Sequence, residues 1–229
     1  MKILITNDDG IQAPGLAALA GAMAEHGQVV VVAPSSAASG VSHQVTIDQP
    51  LVVHSLGDDR YAVDGTPADC SRVGLLQICP DADWVMAGIN LGSNLGVDVW
   101  MSGTVAAVRE AALLGYKAIA WSQYFNPLKP LDWPTASTAA DALFSDLCSQ
   151  ASASGAYWNV NFSDPAELVK DPLAWQAAPL DHHPLPVEYE LKPDGYHYYC
   201  DYHQRHSAPG SDVDICFKGT TTVTRLTIE

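Results

Sequence analysis

Met1–Gly10 reads MKILITNDDG, and its last four letters decide how the rest of the chain is organised. Three apolar residues in strand-like register, Ile3, Leu4 and Ile5, run directly into Asn7, Asp8, Asp9 and Gly10. A buried strand that ends in two adjacent carboxylates needs an explanation, because the acids repel each other and gain nothing from a core. Asn, Asp and Gly form turns in their own right, so a solvated polar turn is one reading. The other is a positive charge held between the two acids.

Working outward, QVVVVAP (Gln28–Pro34) is an apolar run without alternation, as expected of a parallel strand covered on both faces. Between these strands Pro14-Gly15 opens an Ala/Leu-rich segment, Leu16 to His26, read as a helix with proline early in it. SSAASG (Ser35–Gly40) is a small-residue loop, and residues 44–63 alternate like an antiparallel excursion turning at Gly57–Asp59. GTPADC (Gly65–Cys70) opens a helix with Thr66 as N-cap and Pro67 at its first position. WVMAGIN (Trp84–Asn90) and KAIAWSQ (Lys117–Gln123) read as further buried strands, with a helix at Val105–Leu114 between them. A helix over Ser137–Gln150 and a strand at Tyr157–Phe162 close the alternation.

This order predicts an α/β fold: a Rossmann-like, doubly wound, mostly parallel sheet with helices on both faces. The regular part covers residues 1–163. Residues 164–229 are broken by prolines and read as a β-rich, oligomerising arm, not an independent domain, whose final KGTTTVTRLTIE alternates like an exposed or partner-paired strand.

The chain has 229 residues, 48% of them hydrophobic and 16% charged, which suits one globular unit. Its formal net charge of −15 repels nucleic acid backbones and anionic membranes, so neither a nucleic acid polymer nor a membrane is an expected partner. No apolar run reaches membrane-spanning length, and Met1-Lys2 leads into a strand, not a signal peptide. Five scattered cysteines without CxxC spacing suit a reduced, cytoplasmic setting and do not suggest zinc. His182, His183, His197, His203 and His206 also lack metal spacing.

Ligands of an open parallel sheet bind outside the carboxyl ends of the strands, where topology switches direction. Asp8 and Asp9, Ser39, and Asn90 each follow such an end. Together they form an all-oxygen set suited to Mg²⁺, Mn²⁺ or Ca²⁺. Ser39 or Asn90 alone is an ordinary loop or strand-end residue, so the case rests on convergence. Ser102, Gly103 and Thr104 stand where a helix begins, after a loop holding Gly92, Asn94 and Gly96. Free N–H groups at a helix start attract phosphate, although the segment taken alone reads first as an ordinary N-cap serine with loop glycines. His43 is a candidate proton donor or phosphate contact.

These segments resemble the SurE (survival protein E) family of metal-dependent 5′/3′-nucleotidases. The likeness is carried by ILITNDDGIQAPGLAALA, VVVVAPSSAASGVSHQVTI, DGTPADC and VMAGINLGSNLGVDVWMSGTVAAVREAALLG, and more loosely by WNVNF and GSDVDICFKGTTTVTRLTI. It implies that Asp8, Asp9, Ser39 and Asn90 hold one divalent cation, Mg²⁺ or Mn²⁺. It further implies that Asn94, Ser102, Gly103 and Thr104 face the phosphate of a nucleoside monophosphate or similar small phosphomonoester. Homodimers or homotetramers that exchange C-terminal elements are expected from the same likeness. One departure is the loop before Ser39, usually basic in the family and here PSSAAS.

The expected chemistry is hydrolysis by a metal-activated water that Asp8 or Asp9 orients or deprotonates. A covalent aspartyl-phosphate route fits adjacent aspartates poorly, because enzymes of that kind space them as DxD. A non-catalytic nucleotide-binding protein on the same scaffold is the rival reading that the missing basic residues suggest.

Overall fold

Apolar runs that do not alternate supply both faces of one sheet. A computed structural model describes residues 1–125, 131–149 and 155–228. Its elements run β1 (Lys2–Thr6), α1 (Pro14–Met23), β2 (Gln28–Pro34), β3 (Val53–Gly57), β4 (Arg60–Val63), α2 (Pro67–Val73), β5 (Trp84–Leu91) and α3 (Gly103–Leu113). They continue with β6 (Lys117–Gln123), α4 (Trp133–Cys148), β7 (Ala156–Phe162), α5 (Pro165–Leu168), β8 (Trp175–Ala177), β9 (Val187–Lys192), β10 (Gly195–Cys200), α6 (Asp212–Phe217) and β11 (Thr221–Thr227). Nine strands form one sheet in the order β3-β4-β2-β1-β5-β6-β7-β11-β8, while β9 and β10 make a separate hairpin. All neighbours in the sheet are parallel except β3 with β4 and β7 with β11.

The two faces divide the strand residues by parity. Ile3, Ile5, Trp84, Met86, Ile119 and Trp121 pack with α1 and α4. Leu4, Val85, Ala87, Ala118 and Ala120 pack with α2 and α3. The second set is smaller because α3 presents Ala107, Val108 and Ala111 and lies close to the strands. On the first face Gly15 of α1 makes the closest approach: a Cβ there would stand 2.0 Å from the Ile89 carbonyl oxygen.

The chain winds from β1 to β2 on one side, then returns to place β5 on the other side of β1. The switch point of the doubly wound order therefore lies at the ends of β1 and β5, just before Asp8 and at Asn90. Differences from the sequence reading are local. The first helix starts at Pro14 and stops at Met23, the third starts at Gly103, and residues 44–52 run without strand pairing. α4 begins at Trp133 because Asp132 caps it, accepting from the Thr135 N–H at 3.2 Å and from the Thr135 hydroxyl at 2.7 Å. Its expected end, Gln150, lies outside the described residues.

The terminal strand, expected to be exposed or paired with a partner, instead pairs within the chain. β11 joins β7 antiparallel and is largely buried, with Val223 entering the core beside Val160. Glu229 lies outside the described residues. Two buried aspartates fasten this C-terminal region to the loop after β5. Asp212 accepts hydrogen bonds from the backbone N–H groups of Gly96 and Asp181, both at 2.8 Å. Asp181 accepts from the Ser211 hydroxyl at 2.7 Å and from the N–H groups of Ala208 at 2.7 Å and His183 at 2.8 Å.

Burial pushes the Asp181 carboxyl up, but these donors outweigh it and hold the group at about 2, below its ordinary 3.8. A depressed folded pKa stabilises above the unfolded value and loses that contribution as pH falls through the folded one. Asp181→Asn is therefore expected to lower the urea unfolding free energy near pH 7 by roughly 2 kcal/mol, with the deficit shrinking between about pH 4 and 2. A deficit independent of pH would contradict this account. Gly15→Ala should destabilise by about 1–3 kcal/mol in the same measurement, although alanine is the better helix former by about 1 kcal/mol, because overpacking against Ile89 outweighs propensity.

Candidate active site

The turn after β1 is closed by Asn7. Its side-chain amide donates to the Gly10 carbonyl at 2.9 Å, and its Oδ1 accepts from the Gly10 N–H at 3.2 Å. Gly10 adopts φ +98°, and a Cβ there would stand 3.2 Å from the Ser36 carbonyl carbon. Two backbone bonds stitch this turn to the end of β2 and its loop: Ile11 N–H to Pro34 O at 2.8 Å and Ala38 N–H to Asp8 O at 2.7 Å. Asp8, Asp9 and Ser39 are thereby brought to one rim.

Asp8 is almost wholly buried, at 4% exposure. Its Oδ1 accepts from the Thr104 hydroxyl at 2.5 Å. Gly103 packs behind it: a Cβ there would lie 2.9 Å from the Asp8 Cβ and 3.1 Å from its Oδ2. Burial raises the Asp8 pKa to about 6 against the Thr104 bond, and the neighbouring charge of Asp9 adds to the rise. Asp9 is less buried; burial raises its pKa too, opposed by the Leu91 N–H that donates to Oδ2 at 3.2 Å. A positive charge placed between the two carboxylates relieves both penalties.

Asn90 arrives through an irregularity. The β5–β6 register shifts between Ala87 and Asn90, which sets Asn90 opposite Ser122. Gly88 permits the shift, with φ +128° and a Cβ position only 2.2 Å from the Trp121 carbonyl oxygen. The Asn90 amide donates to Gly92 O at 2.7 Å, which fixes the amide and leaves its Oδ1 as the atom available to a ligand. Asp8, Asp9, Ser39, Asn90, Asn94 and Ser102 share one open cleft of about 310 Å³. Among the described residues no group of three or more His, Cys, Asp or Glu is placed to hold a metal; the cleft instead offers carboxylate, amide and hydroxyl oxygens. Hard oxygens of this kind fit a divalent cation such as Mg²⁺, Mn²⁺ or Ca²⁺.

The expected phosphate contacts divide. Ser102 lines the cleft and caps α3, its Oγ accepting from the Val105 N–H at 3.1 Å. Gly103 and Thr104 stand behind Asp8, not in the cleft lining. Asn94 is held by a buried polar net that the sequence did not reveal. Its N–H donates to Asn161 Oδ1 at 2.7 Å, its amide donates to Ser122 Oγ at 2.8 Å, and its carbonyl accepts from Asn159 at 2.8 Å and Asn161 at 3.1 Å. Asn159 and Asn161 are fully buried, and the alternation N-x-N inside an apolar strand was the available signal.

His43 does not join the cleft. Arg109 Nε donates to its Nδ1 at 2.8 Å, which leaves Nε2–H to donate to Glu110 Oε2 at 2.7 Å. Together with Thr46, whose N–H donates to Asp69 at 2.8 Å, it anchors the segment that carries Ser39. Ser93 and Asp98 also line the cleft, and Asp98 is bonded by Tyr202 and Arg205 from the C-terminal region. Neither the spacing nor the residue types near these four pointed to a shared position.

Residues 3–178 match the family model described as Survival protein SurE. A protein of Synechocystis sp. is 46% identical over 228 residues, covering the full length of both chains. The 5′-nucleotidase SurE of Geotalea daltonii is 38% identical over 237 residues, covering 100% of this chain and 94% of that one. The crystal structure of the SurE protein from Aquifex aeolicus superposes with a TM-score of 0.86 at 30% identity, covering 100% of this chain and 94% of that one. With the switch-point cleft and the ordered NDDG, GIN and SGT segments in place, the chain belongs to the SurE family.

Proposed function

We propose that the protein is a phosphomonoesterase that hydrolyses nucleoside 5′-monophosphates, with Mg²⁺ or Mn²⁺ held by Asp8, Asp9, Asn90 and Ser39. The observation that carries this reading is the convergence of those four oxygen donors with Ser102, the N-cap of α3, in one cleft. A bound dication supplies Lewis-acid polarisation of the phosphoryl group and lowers the pKa of water at the site. Ser102 Oγ accepts from Val105, so its own proton is free to donate to a phosphoryl oxygen, and the α3 dipole favours the same negative charge. Asp8 is immobilised by Thr104 and serves as an anchor. Asp9, less buried and held by one backbone donor, is the better placed carboxylate to orient the attacking water and take its proton. No Lys or Arg is among the described residues that line the cleft, which leaves charge neutralisation to the cation and the helix.

The five free cysteines support a reducing, cytoplasmic setting. No described helix is long and apolar enough to cross a membrane. Assembly as a homodimer or homotetramer is supported by the β9–β10 hairpin, where Tyr189, Leu191, Tyr196, Tyr198 and Tyr199 are 58–73% exposed.

The direct test is turnover of AMP, GMP and p-nitrophenyl phosphate with and without Mn²⁺ or Mg²⁺. Asp8→Asn should lose at least about a hundredfold in kcat/KM, and should lose the Mn²⁺-dependent rise in melting temperature that wild type shows, while folding normally. Normal hydrolysis by Asp8→Asn would refute the site. Nucleotide binding without turnover by wild type would favour the non-catalytic reading. Replacing Tyr196 and Tyr198 together by serine should shift sedimentation toward monomer; an unchanged profile would remove the hairpin from the interface.

A further inference from the structure

The cleft has a second polar wall whose hydrogen bonds run in one direction only. Ser93, half-buried and lining the cleft, has its Oγ 3.0 Å from the Tyr202 hydroxyl oxygen. Tyr202 has a single O–H, and it donates to Asp98 Oδ2 at 2.7 Å. The same oxygen accepts from Arg205 Nη1 at 2.8 Å and from the Leu95 N–H at 3.4 Å. Asp98 and Arg205 are 8% and 6% exposed, so the ion pair is buried, and an ionised carboxylate can only accept. Burial and the Asp98 charge also raise the pKa of the Tyr202 hydroxyl, which keeps its proton in place.

The consequence falls on Ser93. Because the Tyr202 proton is committed to Asp98, the contact between the two hydroxyls requires Ser93 to donate. Its Oγ then offers only lone pairs to the cleft. A phosphoryl oxygen, itself an acceptor, gains nothing there. A sugar hydroxyl is a donor and fits. At about 310 Å³ the cleft has room for more than a phosphate group.

We infer that Ser93 accepts a hydrogen bond from a ribose hydroxyl of the substrate, with Tyr202 and Arg205 as positioning residues that fix its orientation. This rests on the nucleotidase reading above. The test assays wild type, Ser93→Ala and Tyr202→Phe with Mn²⁺ on AMP, 2′-deoxy-AMP, 3′-deoxy-AMP and p-nitrophenyl phosphate. In Ser93→Ala, kcat/KM for AMP relative to p-nitrophenyl phosphate should fall roughly five- to tenfold. The fall should vanish for whichever deoxynucleotide lacks the hydroxyl that is read. Tyr202→Phe, which frees the serine proton, should lower the same ratio by a smaller factor. A ratio equal to that of wild type, or an equal loss on all four substrates, would overturn the inference. If wild type hydrolyses none of them, the nucleotidase reading fails, and calorimetric binding of AMP to the Mn²⁺-loaded protein decides this one. Binding weakened by a similar factor in Ser93→Ala would support it; equal or undetectable binding would overturn it.

Discussion

Asp8 is a carboxylate packed against the first turn of α3. That contact joins the two halves of the site. Gly103 leaves room for it, the Thr104 hydroxyl donates to it, and the Ala38 N–H holds its carbonyl. Had any residue larger than glycine stood at 103, the helix start and the strand tip would be forced apart, because the nearest Asp8 atom would be 2.9 Å from the new Cβ. The SGT segment is thus shared between two tasks. Ser102 faces the cleft, and the other two residues fix the acid behind it.

The sheet explains why this placement holds. The α1/α4 face takes the large side chains, including Trp84, Met86 and Trp121, and the α2/α3 face takes alanines and valines. A thin layer on the second face lets α3 lie close to β1 and β5, so its N-terminus reaches the switch point. On the first face Gly15 lets α1 approach Ile89, one residue before Asn90. The ends of β1 and β5 that line the cleft are therefore packed between two close helix contacts, with little room to move.

Much of the fold was legible because its signals are local. Continuous apolar runs, Thr66-Pro67 at the start of α2 and the Gly57–Asp59 turn each act through neighbouring residues, and the structure has them where the sequence put them. The shared position of the aspartate pair, Ser39, Asn90 and Ser102 was legible for a related reason: each follows a strand or opens a helix, and doubly wound topology collects such points. What could not be read depends on long-range contact. His43 is engaged by Arg109 and Glu110 across 66 and 67 residues, and Asp98 by Arg205 across 107. The intrachain pairing of β11 with β7 likewise follows from three-dimensional closure, since an alternating terminal strand looks the same whether its partner is its own chain or another.

The electrostatics of the chain set the terms on which any anionic substrate is bound. A formal charge of −15 opposes a phosphate monoester approaching from solution, and the cleft itself contributes the unpaired carboxylates of Asp8 and Asp9. The loop before Ser39, PSSAAS, carries no basic side chain to offset such a field. The compensation then has to come from a cation and from the positive end of α3, both of which act at short range. Arg205, the nearest guanidinium in the second wall, is buried against Asp98 and adds no net positive charge to the cleft. Attraction is thereby confined to the few ångströms around Asp8, Asp9 and Ser102, while the neutral Asp98–Arg205 pair leaves the remainder of the cleft without a countercharge. A phosphomonoester entering such a cleft is oriented before it is bound, its phosphate drawn to one end and its hydroxyl-bearing portion left to the acceptors at the other.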